Sequence, residues 1–202
     1  MRAYNLTMVV LLCCFTATNV GAAAIGASEN TARIGYGFGF GSVSVSDPQG
    51  NVENDTAPQL LQLIYTDRWF QEYRYWGEIF VDDSEHKAGI DQIGQEVDRF
   101  GVRAIVHRQL HISDNYNLWA GGGLQIAQEK STLRHTVDSD GFLLQSFGDR
   151  KHTSLALAFD VINEWHINSR WDVGGRLRYS LALGDGIDDL AASVVFLYRF
   201  QE

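Results

Sequence analysis

The feature that most constrains this chain is the alternation of apolar and polar residues over positions 171–200. Two runs of this kind flank Gly184-Asp185-Gly186. Their apolar or aromatic members are Trp171, Val173, Leu177, Tyr179 and Leu181, followed by Ala192, Val194, Phe196, Tyr198 and Phe200. The intervening positions include Arg176, Arg178, Ser193 and Arg199. Because successive side chains of a β-strand point to opposite faces, the pattern predicts a hairpin with one apolar and one polar face.

The same alternation recurs earlier in the chain, and it predicts an all-β fold of eight antiparallel strands. The six further segments lie at about 31–45, 58–66, 72–82, 98–112, 116–128 and 152–165. Short connections at 67–71, 113–115 and 168–170 alternate with mostly longer polar ones at 47–56, 83–95, 129–150 and 184–188. Such alternation is typical of an up-and-down barrel with short turns at one end and long loops at the other.

Residues 1–24 have the features of a secretory signal. Arg2 precedes a short apolar run at 8–15, and small residues follow at 21–24. That run is shorter than the roughly 20 residues that a membrane-spanning helix needs. We therefore predict a cleaved signal peptide over 1–24 and one β-barrel domain over 25–202. The two cysteines, Cys13 and Cys14, would leave with the signal, which excludes a disulfide scaffold and a thiol enzyme.

The charge balance disfavours some partners. Sixteen Lys and Arg against 25 Asp and Glu give a net charge of −9, which argues against nucleic acid as a partner. Acidic residues crowd one predicted loop, where Lys87 alone offsets Asp82, Asp83, Glu85, Asp91, Glu96 and Asp98. Carboxylates suit calcium, but the spacing of a calcium-binding loop is absent. We predict a solvated acidic loop, with no metal and no cofactor.

A soluble barrel has its apolar face inside, whereas a membrane barrel has it outside. Three observations favour the membrane form. The lysines Lys87, Lys130 and Lys151 all lie in predicted loops, and the polar face is rich in glycine, alanine, serine and arginine. Aromatic residues gather near the short connections, as in an interfacial girdle, namely Trp69, Tyr73, Tyr116, Trp165 and Trp171.

With its Tyr198-Arg199-Phe200 ending, this pattern resembles the small eight-stranded outer-membrane barrels of the OmpA/OmpX-like or OmpW-like superfamily. The resemblance covers the predicted domain and implies an eight-stranded antiparallel up-and-down transmembrane β-barrel in the outer membrane of a Gram-negative cell. It implies that both termini are periplasmic and that the partners are outer-membrane lipids and lipopolysaccharide. It further implies that the barrel-assembly machinery recognises the last strand, which ends at Phe200. Gln201 and Glu202 extend past the usual terminal aromatic residue.

The polar face predicts a network of charges in the lumen. Its members are Arg33, Arg74, Glu78, Arg99, Arg103, Asp160, Glu164, Arg176, Arg178 and Arg199, with Asp82, His107 and Asp172 on the same face. Because an unpaired charge in a narrow interior is costly, we interpret the set as a structural plug of salt bridges; a gated pore is the alternative. A lumen carboxylate such as Asp160 or Glu164 is the expected partner of Arg178.

One short motif favours catalysis, but only weakly. His111-Ile112-Ser113 resembles the His-x-Ser of outer-membrane lipid A deacylases, in which histidine activates a serine nucleophile. Here the motif abuts a predicted periplasmic turn, and the spacing from His107 directs His111 into the lumen. We therefore predict no catalytic residue.

The sequence predicts a non-enzymatic outer-membrane barrel with a structural or interaction role through its extracellular loops, whose ligand it does not name. The alternatives are an enzyme that modifies lipid A or phospholipid, and a narrow, porin-like channel for small solutes.

Overall fold

A computed structural model describes residues 32–46, 52–70, 72–90, 92–112 and 116–200; the predicted signal peptide lies outside these ranges. The strands of the described part are β1 (Arg33–Ser46), β2 (Val52–Phe70), β3 (Tyr73–His86), β4 (Gly94–Ile112), β5 (Tyr116–Val137), β6 (Leu143–Ser146), β7 (Arg150–His166), β8 (Trp171–Ala182) and β9 (Ile187–Arg199). In this part of the chain, no helix is long and apolar enough to span a bilayer.

Eight of the described strands close into a ring, which confirms the predicted fold class. Each pairs in antiparallel fashion with its neighbour in the order β1, β2, β3, β4, β5, β7, β8, β9. Pairing of β9 with β1, from Arg33 opposite Arg199 to Val45 opposite Ile187, completes the barrel. The short β6 pairs with the outer part of β5 and lies beyond the ring. Three short connections and both ends of the described barrel lie at one end, the short-turn end; the opposite end is the long-loop end.

The barrel is apolar outside and polar inside, as predicted. Leu177 in the middle of β8 is 52% exposed, whereas its neighbours Arg176 and Arg178 are 3% and 2% exposed. Similar alternation follows every strand of the ring. Around the short-turn end, Tyr73 and Trp165 are exposed, as an aromatic girdle requires. The side chain of Trp69 is not among those that the structure describes. The apolar exterior forms a belt suited to lipid.

Several strands continue well past this belt, which corrects the predicted loop boundaries. Strand β5 has 22 residues, whereas a tilted strand crosses the hydrocarbon layer in about 9–11. Most of the predicted loop 129–150 and both ends of the predicted loop 83–95 are therefore strand, and Lys130 and Lys151 lie on β5 and β7. The backbone ladder continues because its hydrogen bonds do not require apolar side chains. Alternation of hydrophobicity therefore marked only the part of each strand inside the belt.

Replacing Leu177 by arginine tests the orientation of the barrel wall. A lipid-facing arginine near the bilayer midplane costs about 2–4 kcal/mol, and one near the interface about 0–1 kcal/mol. We expect Leu177→Arg to lower the free energy of unfolding by the larger amount in a denaturant titration in lipid vesicles. Leu183→Arg, at an exposed position beyond the end of β8, should cost little. Equal losses at the two positions would contradict the proposed wall.

Candidate functional site

The ten charged residues assigned to the lumen from the sequence all lie on the inner face, on β1, β3, β4, β7, β8 and β9. Nine are buried, and the Arg199 side chain at the short-turn end is 28% exposed. The eight-stranded ring is narrow, so that side chains from opposite walls meet across it. The contacts form three groups along the lumen.

The group nearest the short-turn end links charged residues of five strands. The Arg33 guanidinium lies 3.1 Å from Glu164 and 3.2 Å from Asp172. Arg74 is 2.5 Å from the second oxygen of Glu164, and its guanidinium lies over the indole ring of Trp119 at 4.1 Å. Arg199 adds a contact of 3.2 Å to Asp172. Two carboxylates thus form ion pairs with three arginines at the entrance of the lumen.

Glu78 organises the middle of the lumen. Its two oxygens contact Arg103 and Arg176, the latter at 2.5 Å, and Arg178 lies 3.9 Å away. The indole N–H of Trp76 also donates to Glu78, at 3.2 Å. These partners come from β3, β4 and β8, so that one carboxylate joins three parts of the wall.

Asp160 and His107 form the second contact of the middle group. Arg176 lies 2.7 Å from Asp160, and His107 Nε2 lies 2.5 Å from the other carboxylate oxygen. Arg74 Nε donates to His107 Nδ1 at 3.2 Å. Because Nδ1 accepts this bond, the imidazole proton lies on Nε2, which donates to Asp160. His107 therefore connects the middle group with the first one.

Asp189 holds the third group together, and the sequence analysis missed it. Its two oxygens each lie 2.8 Å from an arginine, Arg178 on one side and Arg99 on the other. Arg99 is also 2.6 Å from Asp82. The expected pairing of Arg178 with Asp160 or Glu164 is therefore wrong. Asp189 is the third residue of β9 and comes just after the predicted loop 184–188, so it was not assigned to the lumen; the parity of β9 places it on the face of Ser193 and Arg199.

Apolar side chains fill the lumen between and above the charges, which the sequence analysis did not predict. One buried cluster lies among the lower groups and contains Ile64, Trp76, Ile105, Trp119, Ala158, Ile162, Val195 and Leu197. A second cluster, here called the apolar cap, lies toward the long-loop end and contains Val43, Val45, Ala57, Val97 and Ile187. Inward parity alone could have identified both sets. The lumen is therefore packed.

A small polar cavity lies above the apolar cap. It measures about 10 Å³, enough for one water molecule, and Glu129 and His152 contribute to its walls. The buried Glu129 accepts a hydrogen bond from Ser154 at 2.5 Å, and His152 lies 3.1 Å from its other oxygen. The sequence analysis placed Glu129 in a loop, because the alternation of hydrophobicity ends where its strand, β5, leaves the belt. A cavity of this size cannot hold a substrate.

His86 also lies near the long-loop end, beyond the belt. Burial lowers the pKa of its imidazole, and the negative charge of Asp55 opposes this shift. The His86 ring contacts the Ser84 hydroxyl at 3.2 Å. A neutral imidazole is therefore the form favoured by its surroundings.

The His111 motif is oriented differently from expectation. A bulge between Gln109 and His111 shifts the register of β4 against β5 and exposes His111, although the spacing from His107 predicted an inward side chain. The imidazole stacks on Tyr116, with ring centroids 5.0 Å apart. Ser113 lies outside the described residues. Among the residues that are described, no group of three or more His, Cys, Asp or Glu side chains is arranged to hold a metal ion.

Removing the carboxylate of Asp189 should strongly destabilise the barrel. The change would leave Arg99 and Arg178 with too little negative charge, and a broken buried pair costs about 3–5 kcal/mol. We expect Asp189→Asn to lower the free energy of unfolding by that amount in lipid vesicles. Asp185→Asn is the matched control, since this side chain is 83% exposed and should cost less than about 1 kcal/mol.

A double variant tests whether Asp189 and Arg178 stabilise the barrel as a pair. Combining Asp189→Asn with Arg178→Gln removes one of the two uncompensated cations, so the combined loss should be smaller than the sum of the single losses. Additive losses would show that the two side chains do not act as a pair.

Comparison with known proteins identifies the fold. No protein-family model matches the chain, and no curated protein matches its sequence. Among solved structures, OprG, an outer membrane protein of Pseudomonas aeruginosa, aligns with a TM-score of 0.57 at 13% identity, over 89% of this chain and 100% of the other. Neisserial surface protein A aligns with a TM-score of 0.53 at 12% identity, over 84% and 97%.

The attachment invasion locus protein Ail of Yersinia pestis aligns with a TM-score of 0.52 at 13% identity, over 84% of this chain and 99% of that protein. These similarities span nearly the whole of each known barrel at low sequence identity, and they agree with the closed ring of eight strands. The chain has the fold of the small eight-stranded outer-membrane β-barrels.

Proposed function

We propose that the protein is an integral outer-membrane barrel, neither enzyme nor open channel, with a structural or interaction role carried by its long-loop end. The observation that supports this role most directly is the packed lumen. Arginines and carboxylates are paired throughout it, and the apolar cap separates them from the long-loop end. A barrel filled in this way presents its accessible surfaces outside the lumen.

The apolar belt and the fold support insertion in the outer membrane. In our proposal the short-turn end and both termini face the periplasm, and the long-loop end faces outward, as is general for such barrels. Outer-membrane lipids and lipopolysaccharide then surround the belt. The last strand, which ends in Tyr198 and Phe200, would be the segment that the barrel-assembly machinery recognises.

The β5–β6 hairpin is the strongest candidate for an interaction surface. From the apolar Ile126, strand β5 continues to Val137, a distance of roughly 36 Å along the strand. Near the tip, Phe142, Leu143 and Leu144 are 71%, 66% and 70% exposed. Consecutive apolar side chains with this exposure are unusual unless they contact a partner.

A strained residue lies in the same hairpin. Leu133 has a φ of 52°, which is unfavourable for a side chain other than glycine, and it is 64% exposed. On the next residue, the Arg134 guanidinium donates to the carbonyl of Gly148 at 3.2 Å and lies over the Phe147 ring. These contacts hold the returning strand against β5 at the bend, which supports a defined rather than a random presentation of the tip.

The topology can be tested with single cysteines, because both native cysteines precede the barrel. We expect a membrane-impermeant maleimide added to intact cells to label Asp140→Cys, in the hairpin at the long-loop end. Ser169→Cys, in an exposed short turn, should react only after lysis. Labelling of Ser169→Cys on intact cells would reverse the proposed orientation.

A packed lumen should conduct poorly. In planar bilayers we expect no stable single-channel current from the wild-type barrel, because side chains such as the paired Glu78 and Arg103 of β3 and β4 fill its middle. Replacing both residues by alanine removes both members of this ion pair together, and Arg176 keeps its contact with Asp160. This double variant should conduct more than the wild type. A large, stable wild-type current would favour the channel function.

The interaction role predicts that cell adhesion depends on the hairpin tip. Cells that display the protein should adhere to protein-coated surfaces less strongly when Phe142, Leu143 and Leu144 are all replaced by serine. Ile167→Ser, which removes an exposed apolar side chain at the short-turn end, should have no effect. Mass spectra of lipid A and phospholipid should be the same with and without the protein. A new lipid species would favour the enzyme alternative.

A further inference from the structure

The outward-facing rim just above the apolar belt is charged unevenly. On β3 and β4, Asp83 lies opposite Asp98, and Glu85 lies opposite Glu96; all four residues are exposed. On the neighbouring pair of strands, Lys130 of β5 lies directly opposite Lys151 of β7, and both are exposed. These are two of the chain's three lysines. The rim therefore has one basic site beside an acidic one.

Two lysines in register on adjacent strands repel each other. Side chains that face one another across antiparallel strands have Cβ atoms about 4.5–5.5 Å apart, and like charges at this distance are destabilising. Asp98 of β4 lies opposite Lys130 on its other side, so this row of three residues carries two ammonium groups and one carboxylate. The pair retains an excess positive charge that a bound anion would neutralise.

The height of the pair identifies the anion. Ile126 and Leu155 form the last apolar outward pair on these strands, and Gln128 opposite Thr153 separates them from the lysines. The lysines are thus four residues above the belt, roughly 13 Å along a tilted strand. The headgroup layer extends about 5–8 Å beyond the hydrocarbon, and a lysine stem can bend back toward it. Both ammonium groups can therefore reach phosphates at the membrane surface.

We propose that Lys130 and Lys151 form a binding site for a phosphorylated lipid of the outer leaflet, with the two ammonium groups bracketing one headgroup phosphate. This inference rests on the proposed outer-membrane location and assigns residues to the contact with membrane lipid. Asp98 limits the affinity, because it competes with the phosphate for Lys130. The acidic face of β3 and β4 repels the same headgroup and confines it to the β5–β7 side.

The site can be tested by native mass spectrometry of the barrel released from nanodiscs. The discs contain phosphatidylcholine with a minor fraction of either bisphosphorylated lipid A or its dephosphorylated form. We expect the wild type to retain the phosphorylated lipid preferentially. Because each lysine near an anionic surface contributes about 1 kcal/mol, K130Q combined with K151Q should reduce this retention roughly thirtyfold. K87Q, at the chain's third lysine, is the matched control and should retain the lipid as the wild type does.

A further variant and a further ligand extend the retention experiment. D98N should increase retention, because it removes the competing carboxylate. If K87Q lost as much lipid retention as the double variant, binding would depend on diffuse charge and not on this site. Equal retention of the phosphorylated and dephosphorylated forms of lipid A would overturn the site as well. If inorganic phosphate were retained as well as the lipid, with the same dependence on the two lysines, the assignment to lipid would be overturned.

Membrane insertion is measured separately for each variant by the heat-modifiable electrophoretic mobility of the folded barrel. A wild-type chain that does not insert would overturn the proposed location itself. Correct insertion without lipid selectivity would overturn only the lysine site.

Discussion

The rest of the structure depends on complete pairing of backbone hydrogen bonds around the ring. Inside a bilayer no water is available to satisfy an open strand edge, so a β-sheet can cross only when it closes on itself. Here the pairing of β1 with β9 provides that closure, and β6 joins the sheet only beyond the belt. Closure with eight strands leaves a narrow interior, and the residues of the inner face must therefore satisfy one another.

This narrowness explains the composition of the lumen. Glu78 and Asp189 each contact arginines from more than one strand, so that ion pairs also connect distant parts of the wall. Trp76 and Trp119 fill the space beside them and offer ring faces to Arg74. Such a network favours a single arrangement, because moving one arginine leaves a buried carboxylate unpaired.

Much of the fold follows from alternation alone, because lipid and a narrow lumen impose opposite demands on neighbouring residues. Leu177 and Arg178 show this directly. The same signal weakens where a strand leaves the bilayer, and so Glu129 and Lys130 were assigned to a loop although they belong to β5. Partners across the lumen, such as Asp189 for Arg178, depend on barrel tilt and stagger, which a sequence pattern does not contain. His111 was misplaced because one bulge breaks the alternation at the end of β4, where Leu110, His111 and Ile112 are all exposed.

The apolar cap has a consequence for how the protein responds to its surroundings. Val97 and Ile187 are buried directly above the layer of Arg99 and Asp189, so apolar side chains separate these charges from the long-loop end. Salt weakens attraction between charges only where counterions can approach them. The ion pairs below the cap are thus shielded from the ionic strength at the long-loop end, whereas the charges on the outer rim are fully exposed to it. One chain thereby combines a salt-insensitive interior with a salt-responsive surface.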